Sequence, residues 1–370
     1  MRLTLRLRKS RQVAFKTPPR EPLQATKVTR PSASERSSFV CGLSVLLLTF
    51  GAVVAQAQDY TSIVVFGDSL SDTGNVAHLS EAKYGVRIPG PAGDYTDGRF
   101  TDGFDTVPAA QKYFGVWIEQ FAETLPSKPV IKNSLDGGTN YAYGFATTGT
   151  GTGVLTFGPS DSLSVNVNNI GQQITDYLAT HPKINHKTLF VMWGGAIDIL
   201  YATSSADVIN AAVQQTLNIQ RLIHAGATQF IIPNAPPLGL APRFNGSPTT
   251  SIPATQASVL YNDFLNAGVA VLRDLNHRRH LSLSQLDVFG LFNQIIASPA
   301  TYSLTNTTAS SQGNFTVDPD TFLFWDSLHP TTRGHNILAA SAAQVVARYA
   351  CRSGHEARCE AIAVGGDSPR

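Results

Sequence analysis

The chain has 370 residues, 42% hydrophobic and 15% charged, the balance of a globular rather than a disordered protein and enough for one large α/β domain or two small ones. Its formal net charge of +2 hides an uneven distribution: residues 1–57 carry ten Lys and Arg against Glu21 and Glu35, leaving 18 basic and 24 acidic residues beyond them. A basic N-terminal stretch can mark a nucleic-acid partner, but this one runs straight into an apolar segment, and no nucleic acid is expected.

The apolar segment, Phe39–Val54, is followed by Ala55-Gln56-Ala57. A basic start, a short apolar core and a small-x-small end mark a secretory signal peptide. The core, broken by Gly and Ser, is marginal against the ~20 residues that cross a bilayer. Cleavage after Ala57 is therefore expected, giving an extracellular or periplasmic protein, with an uncleaved anchor as the alternative. Cys41 does not stand where a lipoprotein signal requires it. Beyond the signal only Cys351 and Cys359 remain, eight positions apart: a local disulfide in an oxidising compartment, or two free thiols. No spacing of His and Cys suggests a metal, since His355-Glu356 is not followed by a second His.

In chain order, Ser62–Phe66 reads as the first buried strand, followed by a weaker extended segment at Asn140–Phe145. Leu189–Trp193, Gln229–Pro233 and Ser282–Phe289 are further strands, with few charges and many β-branched or aromatic residues. The clearest helix is 206–224, where Ile209, Ala212, Val213, Leu217 and Ile223 recur near helical spacing and Gly226 stops the run. A last helix, 332–349, carries Ile337, Leu338, Ala342, Val345 and Val346. Residues 85–105, 149–164, 236–253 and 299–320 are rich in Gly, Pro, Ser and Thr and read as long loops. No repeat or linker divides the chain, so the expected organisation is a signal at 1–57, one domain at 58–351 and a flexible tail at 352–370.

Directly after the first strand stands Phe66-Gly67-Asp68-Ser69-Leu70-Ser71-Asp72-Thr73-Gly74-Asn75. A serine at a strand-to-helix turn lies at the sheet edge where open α/β sheets bind ligands, and the helix N-terminus offers N–H groups to a developing oxyanion. Taken alone, the same serine is an ordinary helix cap. A hydroxyl needs a base to become a nucleophile. Near the other end, Trp325-Asp326-Ser327-Leu328-His329-Pro330 places Asp and His three apart, close enough for the carboxylate to orient the imidazole. Asn306-Thr307-Thr308 and Asn314-Phe315-Thr316 fit the glycosylation pattern, which has meaning only in a eukaryotic secretory pathway.

These blocks resemble the GDSL (SGNH) lipase/esterase family over residues 60–350. Besides Phe66–Asn75 and Asp326–Pro330, the similarity rests on Thr139–Ala146, Trp193–Asp198, Gly98–Gly103, Asn234–Gly239 and Asp287–Phe289. The resemblance implies a three-layer α/β/α sandwich with a five-stranded parallel sheet in flavodoxin-like order. It implies Ser69 as nucleophile, His329 as base and Asp326 as its partner, with Ser69 and Gly144 lending N–H groups to the oxyanion. No metal or organic cofactor is implied. The substrate would be an ester of a lipid, phospholipid or acylated carbohydrate, with transient contact at a lipid surface compatible with that chemistry and a monomer expected. The blocks are most similar to the long phospholipase/esterase branch. One position departs: where the family has Gly-x-Asn-Asp, this chain has Gly195-Ala196-Ile197-Asp198, and Ile197 cannot donate a hydrogen bond. Three outcomes follow: another donor such as Asn140 or Asn234 substitutes, the enzyme is slow, or the protein binds glycan or lipid without turnover. Asp72 and Asn75 are expected to brace the serine turn, Asp198 to anchor its loop, and His335 to lie on the helix surface.

Overall fold

The computed structural model describes residues 60–103, 112–157 and 162–353. The segment expected to be a signal peptide and Cys359 lie outside these residues. In chain order the strands are β1 (Ser62–Gly67), β2 (Thr152–Phe157), β3 (Leu163–Asn168), β4 (Thr188–Trp193), β5 (Gln229–Pro233), β6 (Ser282–Leu286), β7 (Asn306–Ser310) and β8 (Phe322–Phe324). The α-helices are α1 (Asn75–Tyr84), α2 (Trp117–Thr124), α3 (Ile170–Thr180), α4 (Ala196–Tyr201), α5 (Ser205–His224), α6 (Pro248–Leu275), α7 (Val288–Ala297) and α8 (Thr332–Ser353).

The central sheet is parallel, in the order β1-β4-β5-β6. It has four strands where five were expected. The segment at Asn140–Phe145 does lie against the outer edge of β1: Val65 N donates to Thr139 O, Tyr141 N to Val65 O and Tyr143 N to Gly67 O. Only one bridge to β1, Val65 to Asn140, is regular, so the segment does not extend the sheet as a fifth strand.

Alternation along the strands sends side chains to two cores. Ile63 and Val65 of β1, with Leu189 and Val191 of β4, pack against α2, α7 and α8. Val64, Phe66, Phe190 and Met192 face α3, α4, α5 and α6. The result is the expected sandwich of helices on both faces of a parallel sheet. A third, smaller core gathers Val76, Tyr143, Ala146, Val165 and Val167 beneath the antiparallel pair β2–β3.

Several local expectations shift. β6 ends at Leu286, and Asp287 caps α7 by accepting Gly290 N, so Val288 and Phe289 are helical. The buried stripe of α5 runs through Val208, Ala212, Gln215, Ile219 and Leu222, leaving Val213 and Leu217 exposed. Two stretches read as loops hold β2, part of β3 and β7. α8 continues through Ser353, beyond the expected start of the tail.

Candidate active site

β1 ends at Gly67, where a Cβ would stand 2.6 Å from Trp193 O; only glycine lets the strands stay paired there. Gln173 then completes the strand end, accepting Gly67 N at 3.0 Å and donating to Gly67 O at 2.9 Å. Ser71 N and Asp72 N both donate to Asp68 O, and Leu70 N to Asp68 Oδ1, folding a tight turn with Ser69 at its crest. Asp72, fully buried, accepts from Gly74, Asn75 and Val76 at the start of α1, and from Gly144 N at 2.9 Å. Asn75 reaches the other way, donating to Asn140 O and Ala142 O. Both residues brace the turn.

The second half of the site lies 260 positions away and is built by a loop that closes on itself, Trp325 N donating to His329 O at 2.8 Å. Asp326 Oδ1 accepts Leu328 N and His329 N, each at 2.7 Å, and Oδ2 receives His329 Nδ1 at 2.6 Å. With that nitrogen donating, His329 Nε2 is the acceptor for Ser69 Oγ at 2.8 Å. Burial pushes the Asp326 carboxyl up, but the His329 charge and three hydrogen bonds overcome it and hold the group at about 2. For His329 burial works against the charged ring. Asp326, with help from Asp68, outweighs it, so the imidazole is raised above its ordinary value. An ionised carboxylate, an oriented imidazole and a hydroxyl in one unbroken chain form the arrangement that activates a nucleophile.

The stretch Gly85–Gly103 clamps this assembly from outside. Thr101 Oγ1 donates to Pro330 O, and Asp102 accepts Thr332 N at 2.6 Å and Thr332 Oγ1 at 2.9 Å at the start of α8. The Phe100 ring packs on the His329 imidazole, centroids 5.2 Å apart. Tyr95 OH donates to Asp326 Oδ2 at 2.8 Å. Gly144, expected as an oxyanion donor, has its N–H committed to Asp72; what its position requires is the missing side chain, because a Cβ would stand 2.5 Å from Phe100 Cε2. The adjoining Phe145 holds φ 71°, the left-handed region that glycine favours, and its N–H and that of Ser69 find no acceptor among the described residues.

The sequence matches the description GDSL-like Lipase/Acylhydrolase over residues 63–342. The chain belongs to the GDSL-like lipase/acylhydrolase family. Among relatives, a thermolabile hemolysin of Vibrio parahaemolyticus is 25% identical over 77% of this chain and 63% of its own length. Lipase 1 of Photorhabdus luminescens is 26% identical over 84% and 54%. A GDSL esterase/lipase of Arabidopsis thaliana is 25% identical over 80% and 90%. This GDSL chain thus spans between half and two thirds of the length of the two bacterial relatives.

A cleft opens beside Ser69 and His329, lined by Leu70, Trp193, Ile197, Leu238, Phe292 and Leu328 among others. Ile197, in the first turn of α4, presents hydrocarbon to the cleft, at the position where the family resemblance leads one to expect asparagine. Of the two candidate substitutes, Asn140 has both amide hydrogens engaged and Asn234 one of its two. Asn140 Nδ2 donates to Ser71 O and Thr73 Oγ1, and Asn234 Nδ2 donates to Asp287. Asp198 accepts Thr148 N and Oγ1, anchoring its loop as expected. Asp68 also lines the cleft; its Oδ2 has no partner among the described residues, and burial pushes the carboxyl up to about 7. His335 is fully buried rather than on the helix surface, both ring nitrogens without partners among the described residues. Among the described residues no group of three His, Cys, Asp or Glu is arranged to hold a metal ion, and no helix is long and apolar enough to cross a membrane.

Proposed function

We propose that this GDSL protein is an exported serine hydrolase of carboxylic esters. The observation that carries the reading is the unbroken Ser69–His329–Asp326 chain, at 2.8 and 2.6 Å, beside an apolar cleft. Ser69 Oγ attacks the ester carbonyl while His329 Nε2 takes its proton. The tetrahedral adduct expels the alcohol, which leaves with that proton. Water, deprotonated by His329, then frees the acid from Ser69. The N–H groups of Ser69 and Phe145, without acceptors among the described residues, are free to serve the oxyanion, whereas that of Gly144 is engaged by Asp72. The hydrocarbon lining of the cleft suits the acyl chain of a lipid, a phospholipid or an acylated carbohydrate.

The test is hydrolysis of p-nitrophenyl acetate, butyrate and palmitate by the protein and by Ser69→Ala. Turnover lost in the alanine variant supports the reading; equal rates refute it. Ile197, with Asn140 committed elsewhere, favours a second reading, a binding protein for lipid or glycan with little turnover. Labelling of Ser69 by a fluorophosphonate separates a reactive serine from an inert one. Export rests on the Phe39–Ala57 pattern; N-terminal sequencing of the external product would begin at Gln58 if the segment is cleaved.

A further inference from the structure

Asp326 Oδ2 receives two donors, and only one belongs to the expected triad. His329 Nδ1 stands 2.6 Å away and the Tyr95 hydroxyl 2.8 Å away, on the same oxygen. The other oxygen, Oδ1, takes the two main-chain N–H groups of Leu328 and His329, so all four donors hold the carboxylate as an acceptor. Tyr95 is itself seated. Its ring meets Trp325 and Phe100 edge-on, each at 6.4 Å, and its N–H donates to Gly90 O. Gln312 ties the same turn to the strand beside the triad, Nε2 donating to Gly93 O and its N–H to Trp325 O. Burial and the Asp326 charge raise the phenol far above its ordinary value, so it stays a donor at any working pH.

We propose that Tyr95 is a positioning residue for the Asp326–His329 pair: its hydroxyl fixes the carboxylate oxygen on which the imidazole rests and shares that oxygen's charge. The proposal deepens the esterase reading and rests on it for its kinetic consequence. Sharing has a direction. A donor that stabilises the carboxylate weakens its pull on the His329 proton, so removing the hydroxyl makes the imidazole more basic while leaving the carboxylate less firmly held. A residue that merely filled space would not produce that sign.

The experiment compares the full chain with Tyr95→Phe, which keeps the ring contacts with Trp325 and Phe100. The expected result is a fall in kcat of about threefold to tenfold with KM within about twofold, since a hydrogen bond to a charged group is lost. The acid limb of the pH–rate profile should move up by about half a unit, and the His329 imidazole followed by NMR should titrate higher by the same amount. The other groups within electrostatic reach, Asp68 and His335 around His329 and Asp94 beside Tyr95, are unchanged by the variant. In an Asp326→Ala background, Tyr95→Phe should cost nothing more. An NMR titration that stays in place or moves down overturns the proposal, as does an equal further loss in the double variant. Ser69→Ala serves as control: hydrolysis undiminished there would remove the esterase reading, while the imidazole titration still decides the role of Tyr95.

Discussion

Gly144→Ala separates two roles for one glycine. If its N–H stabilised an oxyanion, alanine would be silent, because it keeps the N–H. The structure gives the opposite expectation. The new methyl carbon would stand 2.5 Å from Phe100 Cε2 and closer still to Cζ, whereas real contacts begin near 3.4 Å, so the ring must retreat by about 1 Å. Behind that ring lies the His329 imidazole, at 5.2 Å between centroids, and the ring is held on another side by Tyr95. Overpacking of this kind costs about 1–2 kcal/mol, a fall in Tm of about 2–6 °C for a domain of this size. Displacing the base by a fraction of an ångström should lower kcat about tenfold with little change in KM. Steady-state hydrolysis of p-nitrophenyl butyrate and calorimetry read both effects. Phe100→Leu in the same chain makes room for the methyl and should recover part of the stability. An alanine variant with wild-type kcat and Tm would refute the steric account.

Ile197→Asn should raise kcat at least tenfold, because a single oxyanion donor is worth about 10²–10³ and both amide hydrogens of Asn140 are engaged elsewhere; unchanged turnover in an ester assay would sink this expectation. Asp72→Asn replaces one of two accepting oxygens with a donor facing buried N–H groups, and should cost about 2–4 kcal/mol in denaturant unfolding. With His329 raised above about 6.5, kcat/KM should fall on the acid side through a limb lying above that pH, since the protonated ring cannot accept the serine proton. His335 acts with the other sign: burial, with His329 adding, lowers its ring to about 3. The unfolded chain takes up this proton near 6.5 and the folded one refuses it, so stability is full above about 6.5 and drains as pH falls towards 3. His335→Leu should therefore move the acid-unfolding midpoint to lower pH, measured by circular dichroism.

Ser69, Asp326 and His329 were legible because each sits in a short block whose chemistry is local: a serine after a strand, an Asp three residues before a His. Their meeting is not local, and neither is what surrounds them. Tyr95 occupies a Gly/Pro-rich stretch where nothing in the spacing marks a hydroxyl aimed at a carboxylate 231 positions away. Gly144 was recognised as a position that matters, but sequence does not separate a needed N–H from a forbidden Cβ. Helix α6 escaped because Ile252, Val259, Phe264, Val271 and Leu275 are exposed while Tyr261, Leu265, Val269 and Leu272 are buried, which blurs any single apolar stripe. The buried face of α5 departs from its apolar spacing for a related reason. Gln215 and Asn218 lie inside, and Asn218 is there to donate to Thr148 O.

The pairing of β1 with β4 joins Ser62 to Thr188, and the serine meets a histidine 260 positions further on. Closing such loops is entropically slow, and it makes the site a property of the finished chain rather than of any fragment. A polypeptide still emerging from the ribosome has no Ser69–His329 contact until His329 is out, and no Asp102 clamp until Thr332 follows it. The proposed hydrolytic activity would therefore be absent until the chain is nearly complete, and its return during refolding would require both ends of the fold to be in place.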